Sequence, residues 1–120
     1  MNITEQDIPN IIAEAQQAGN TAFNAAIPNP MVVTDGRQQW VCDDGVCGFA
    51  WVNLSGVRSN SKIGKAFIAA GFSKNEYERC LQYWVHSPSQ SMTRKEAFAR
   101  AFANVLKQHG IAAYAGSRMD

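Results

Sequence analysis

Two segments of the chain set hydrogen-bond donors and cations at the start of an expected helix, an arrangement that can receive an anion. The first is Gly56-Val57-Arg58-Ser59-Asn60-Ser61-Lys62. A Gly/Ser/Asn-rich turn running into a helix offers a phosphate free backbone N–H groups and the positive end of the helix dipole. This one lacks the second glycine of a P-loop, and the same residues also read as an ordinary capped loop. The second segment is Gln90-Ser91-Met92-Thr93-Arg94-Lys95, with Arg118 expected to return beside it on the last strand. Cations at a helix N-terminus oppose the dipole, so Arg94 and Lys95 are a local cost that a bound phosphate or an acidic partner would relieve. Alternatively, both reach into solvent while Glu96 offsets part of their charge. The candidate anion-binding set is therefore Arg58, Ser59, Asn60, Lys62, Gln90, Ser91, Arg94, Lys95 and Arg118. No catalytic residue, metal ligand or cofactor is assigned.

The stronger catalytic templates are missing. The sequence has no Gly-x-Ser-x-Gly, His-Glu-x-x-His, Walker A, Gly-x-Gly-x-x-Gly or Cys-x-x-Cys pattern, and neither histidine has an evident nucleophile beside it. His86 is expected at a strand end beside a Ser/Pro loop, and His109 at a helix C-terminus, where the dipole favours its charged form. Cys42, Cys47 and Cys80 are an odd number and predict reduced thiols rather than a disulfide framework. Cys42 and Cys47 bracket Asp43-Asp44-Gly45-Val46, a hairpin signal that could face the two sulfurs across adjacent strands. A zinc site would have to recruit Cys80, His86 or His109 from afar. Trp40, Trp51, Tyr83, Trp84, Phe98 and Phe102 could stack bases or fill the core, with Trp40 and Tyr83 expected nearest the surface because polar residues flank them.

The elements that must position these residues follow from periodicity. Ile8, Ile11, Ile12 and Ala15 mark one helix face, with Asp7 placed to cap, Pro9 in the first turn and Pro28 and Pro30 ending the element. Met31 to Thr34 predicts a short strand turned by Asp35-Gly36, and Gln39 to Val41 with Val46 to Leu54 predicts a hairpin whose second arm is the central strand. Lys62 to Ala70 predicts a helix capped by Ser59, Asn60 or Ser61, with Gly71 past its end. Residues 74 to 86 read either as a helix, with Ser73 and Glu76 as a capping box, or as a strand over Cys80 to Val85. The clearest helix opens with Thr93 and Glu96 as its capping box. It carries Phe98, Ala101, Phe102 and Val105 as its core stripe with Leu106 at the edge, and closes at Gly110 with Ile111 packing back on Leu106. Ile111 to Ala115 predicts a last strand, followed by a polar tail.

With 120 residues, 46% apolar and only 18% charged, the chain is expected to fold as one domain over residues 1–120. No run of about 18 apolar residues predicts a membrane span, and Met1 to Glu5 lacks the basic-then-apolar build of a signal peptide, so a cytoplasmic location is expected. The net charge of +1 hides a split. Residues 1–56 carry one base and six acids, a net −5, and residues 57–120 carry ten bases and four acids, a net +6. Such a chain can bind an anion with its basic half, pair with itself as a homo-oligomer, or bring complementary halves together within one fold.

Gly45 to Val52 in the hairpin, Gln90 to Ala99 at the last helix start, the Ser-Arg-Met-Asp tail and Pro28-Asn29-Pro30-Met31 resemble a group of small uncharacterised proteins encoded by tailed bacteriophages. The similarity runs over nearly the whole chain and carries no catalytic residue with it. It implies a strand over residues 81–86 with a helical turn before it, and an infected bacterial cell as the setting. The resulting expectation is an α+β fold, with a mixed or mainly antiparallel sheet and about three helices largely on one face. The expected function is non-enzymatic binding of an anionic target through the basic half, in host takeover or counter-defence. The target is nucleic acid, a nucleotide or an acidic host-protein surface. The alternative is an enzyme of nucleotide or nucleic-acid metabolism with its site between the 58–62 loop and the 90–95 helix start.

Overall fold

A computed structural model describes residues 3–27, 31–34, 39–42, 47–87, 89 and 91–119, with 31–34 and 39–42 described as backbone. Pro28, Pro30, Asp35, Gly36, Asp43, Asp44, Gly45 and Gln90, for which turn, helix-ending or site roles are expected, lie outside the described residues. The elements run in the order α1 (Ile8–Ala25), β1 (Met31–Thr34), β2 (Gln39–Cys42), β3 (Gly48–Leu54), α2 (Lys62–Ala69), β4 (Ser73–Asn75), β5 (Cys80–Trp84), α3 (Met92–Gln108) and β6 (Ala113–Met119). The expected α+β class is what forms. An antiparallel sheet in the order β4-β5-β3-β6 carries the helices on one face, and β1 and β2 pair with each other.

Alternation along β3 sets the two faces. Gly48, Ala50, Val52 and Leu54 are buried, while Phe49, Trp51 and Asn53 are half-buried on the opposite side. Val85 N–H donates to the Ala50 carbonyl at 3.0 Å, and Ser55 N–H donates to Ala112 at 2.9 Å. In an antiparallel ladder such bonds recur at every second residue. Even-numbered residues of β3 therefore bond β5, and odd-numbered ones bond β6. The buried face meets Phe98, Phe102 and Leu106 of α3, Ile8, Ile11 and Ile12 of α1, and Phe67 of α2 in one cluster. At its centre Tyr83 stacks on Phe102 with ring centroids 4.6 Å apart, and Phe72 lies 5.4 Å from Tyr83 and 5.1 Å from Phe67.

Several expectations change. The hairpin around Asp-Asp-Gly does not form: β2 pairs with β1, Met31 opposite Cys42 and Thr34 opposite Gln39. Both edges of β3 are already taken by β5 and β6, so β3 has no place for β2. Cys47 forms an isolated backbone bridge with Ser91, and the Cys42 side chain, for which a place opposite Cys47 is expected, lies outside the described residues. Residues 73–75 form β4, paired to β5, so the capping-box helix there is absent, and residues 76–79 make a turn directly before the strand. The strand expected over 81–86 is present as β5. α3 is capped by Ser91, whose hydroxyl accepts from Arg94 N–H at 3.3 Å, two residues earlier than Thr93 and Glu96 suggest. Leu106 is fully buried and Ala101 only half-buried, because Lys95, Ala99 and Ala103 widen the inner stripe. β6 runs on to Met119, through residues that read as a polar tail. Tyr83 belongs to the aromatic core, and Trp51 and Trp84 occupy the half-exposed outer face.

Phe102 is completely buried and touches Tyr83, Phe98 and Phe72. Phe102→Ala should lower unfolding free energy by about 3 to 5 kcal/mol, measured by urea denaturation against wild type.

Candidate functional site

The eight described candidate residues of the nine fall into two groups at opposite ends of β3. Ser91 and Lys95 sit at its Gly48 end, where Cys47 bridges Ser91 and Lys95 Nζ donates to the Gly48 carbonyl at 3.1 Å. Arg118 pairs with Phe49 at the same end. Arg58, Ser59, Asn60 and Lys62 follow Leu54 at the other. The seven residues of extended strand from Gly48 to Leu54 separate the groups by about 20 Å. One site between the 58–62 loop and the 90–95 helix start, or one anion held by both groups, is therefore excluded by geometry. Gln90 lies outside the described residues.

The Gly48 group is occupied within the fold. β5 gives its last bond to Ala50, so the Gly48 carbonyl points past the strand end and takes Lys95, which is only 5% exposed and lies 5.5 Å from the Phe49 ring centroid. Arg94 Nη1 donates to the Phe23 carbonyl at 3.2 Å, in the last turn of α1, where orphan carbonyls and the negative dipole end favour a cation. Arg118 lies 5.6 Å from the Phe49 ring. Ser91 is fully buried as the α3 cap. Arg94 and Lys95 do not simply reach into solvent, as one reading of the sequence had it; they tie the start of α3 to α1 and β3.

The other group opens onto a groove of about 720 Å³ lined by Arg58, Ser59 and Asn60 from the β3–α2 loop and by Lys74, Arg79 and Cys80 from the β4–β5 hairpin. The loop is braced by Ser61, which caps α2 through Gly64 N–H at 3.0 Å and donates its hydroxyl to the Arg58 carbonyl at 2.7 Å. Gly64 is required there, because a Cβ would collide with that carbonyl. Lys62 borders an adjoining hollow shared with Arg58 and Glu5. Among the described residues, no hydrogen bond or ion pair holds the side chains of Arg58, Lys74 or Arg79, and no carboxylate lines the groove. Glu78, on the same turn, is engaged by Asn53 Nδ2 on the outer face.

Sequence reasoning missed Lys74 and Arg79, since a helix over 74–86 scatters them. The usable signal was strand alternation across Lys74, with Asn75 as a turn residue; its Oδ1 accepts Glu78 N–H at 2.9 Å. Arg79 has a φ of 55°, a left-handed conformation that a glycine or asparagine would adopt more easily. Burial, and secondarily the nearby Glu78 carboxylate, raises the Cys80 pKa above its usual thiol value.

Elsewhere, His109 Nε2 lies 3.0 Å from Glu14, joining the end of α3 to α1, and His86 is exposed at the end of β5. Among the described residues, no three His, Cys, Asp or Glu side chains gather as metal ligands would, and no helix is long and apolar enough to cross a membrane. Comparison with protein-family models, curated proteins and solved structures gave no match.

Lys95→Ala should cost about 2 kcal/mol in urea denaturation, the worth of a hydrogen bond from a charged donor, and Lys95→Glu more, because it places a carboxylate against a carbonyl. Arg118→Glu, at an exposed position, should change stability far less.

Proposed function

We propose that the protein is a non-enzymatic binding protein that holds a phosphate-bearing ligand, a nucleotide or a nucleic-acid backbone, in the groove between the β3–α2 loop and the β4–β5 hairpin. The observation that carries this reading is the meeting of Arg58, Lys74 and Arg79 around one groove without a carboxylate among its lining residues or a protein partner among the described ones. Three clustered cations repel one another unless an anion joins them. The volume falls within the range of ligand sites, about 300 to 1,000 Å³. Arg79 supports the reading further, because an arginine in left-handed backbone serves the turn less well than glycine would. Tyr77, two residues away and 98% exposed, offers an aromatic face to a base and favours nucleotides over an acidic protein surface. Cys80, the groove's one thiol, is held towards its protonated form and is a poor nucleophile. The resemblance to phage proteins suggests an infected bacterial cell as the setting, and host takeover or counter-defence as the purpose.

Alkylation of Cys80 reports on the groove, with exposed Cys47 as the internal control. A short single-stranded oligonucleotide, ATP and inorganic polyphosphate, each added in turn, should identify the ligand by slowing Cys80 alkylation and sparing Cys47. The double variant Arg58→Glu, Arg79→Glu should weaken binding at least about tenfold, with a shallower salt dependence and an unchanged melting temperature. Tyr77→Ala should weaken the oligonucleotide more than polyphosphate. Protection by none of the three, or protection unaffected by the double reversal, would sink the proposal; capture of an acidic protein instead would show that the groove serves a different partner class.

A further inference from the structure

We infer that β6 is a self-association edge, through which two copies of the chain join their sheets into one. The bonding parity of β3 decides which groups are available. Tyr114, Gly116 and Arg118 pair with Asn53, Trp51 and Phe49, the odd-numbered residues that bond β6. Ala115, Ser117 and Met119 consequently turn their N–H and C=O groups away from β3, and no backbone partner meets them among the described residues, whereas Ala113, of the same parity, is buried in the core. An unpaired row of this kind is a template for another strand. β4, at the other edge of the sheet, is only three residues long and carries Lys74, whereas β6 runs for seven residues with no proline, lysine or bulge.

The strand is complementary to itself. An antiparallel two-fold pairing centred on Gly116 uses the outward groups at the middle of the strand: Ala115 bonds Ser117 of the second copy, and Ser117 bonds its Ala115. The residues that then face each other without bonds, where side chains approach most closely, are Tyr114 and Arg118 of the second copy. Tyr114 is 58% exposed and Met119 65% exposed, as an uncovered edge requires. A two-fold axis perpendicular to the sheet keeps both α3 helices on the same face. Glu96 and Arg100 line a small cavity of about 120 Å³ directly beside Ala115 and Ser117, so the axis brings Arg100 of one copy toward Glu96 of the other. Opposite charges therefore meet on the helix face of the joint, where Glu96 also accepts the Ser117 hydroxyl of its own chain at 3.0 Å, and Tyr114 meets a cation on the other face. This inference is independent of the groove, which lies at the far end of β3.

Light scattering and amide hydrogen exchange on the full 120-residue chain, over a hundredfold range of concentration, test it. A reversible dimer is expected, with the Ala115 and Ser117 amides protected only at high concentration and those of Tyr114, Gly116 and Arg118 protected throughout. Ala115→Pro removes one outward N–H per chain and leaves the ladder to β3 intact, so it should raise the dimer dissociation constant at least about tenfold without altering the circular dichroism. Arg100→Glu should weaken the dimer too, and provides a second variant should the proline disturb the strand. A wild-type chain that stays monomeric, or Ala115 and Ser117 amides that exchange at the same rate at every concentration, would overturn the inference.

Discussion

β3 is hydrogen-bonded along both edges, and the other elements take their places from that saturation. Its even-numbered residues bond β5 and turn small or aliphatic side chains toward the helices; its odd-numbered residues bond β6 and present Phe49, Trp51 and Asn53 on the other face. Because β5 stops short, the Gly48 carbonyl is left to be satisfied by something other than a strand, and a buried backbone acceptor without a partner costs about 1 to 3 kcal/mol. Lys95 supplies the donor and thereby fixes the start of α3. Beyond Leu54 the strand gives way to the loop that supplies Arg58 and its neighbours. Gly116 adds a steric condition, since a Cβ there would strike the Trp51 indole, so strand and aromatic face are mutually fitted.

The cations of the basic half thus stand in two different surroundings. Arg94 and Lys95 meet carbonyl oxygens at the end of α1 and the start of β3, where their charges are worth more than in water because the surroundings are partly or wholly buried. Arg58, Lys74 and Arg79 meet no protein acceptor among the described residues. Charge counted along the sequence cannot separate these roles. What distinguishes them is whether a backbone acceptor lacks its own partner nearby, and that depends on where strands end.

Much of the framework was legible because it rests on local chemistry. The α1 stripe, the serine ahead of α2, the aromatic stripe of α3, and Gly110 at φ 81° with Ile111 N–H returning to Leu106 all follow from short-range spacing. Two Asp-Gly steps flank Gln39–Cys42, and local rules alone cannot say across which one the strand pairs; competition for the edges of β3 settles it. Ser73-Lys74-Asn75-Glu76 satisfies a helix cap and a strand with a turn equally well, and only the outer-face chain of side-chain amides, Asn75 to Gln82 and Gln82 to Asn53, favours the latter. The groove was half visible for that reason: Arg58, Ser59 and Asn60 announce themselves as a loop, whereas Lys74 and Arg79 join them only once the hairpin exists.

The pairing of β3 with β6 also governs how the chain reaches its fold. Gly48 meets Met119 and Leu54 meets Ala113, contacts that span 71 and 59 residues. Closing loops of that length delays the reward for ordering the central strand, a slow step for a chain of this size. As the chain leaves the ribosome, α1, β3 and the β4–β5 hairpin emerge while one edge of β3, bearing Phe49 and Trp51, still lacks its partner. A premature stop anywhere before Ala113 would leave that edge open for good. An unpaired edge of that kind is open to edge-to-edge aggregation, so the fold is protected only once the last strand has been made.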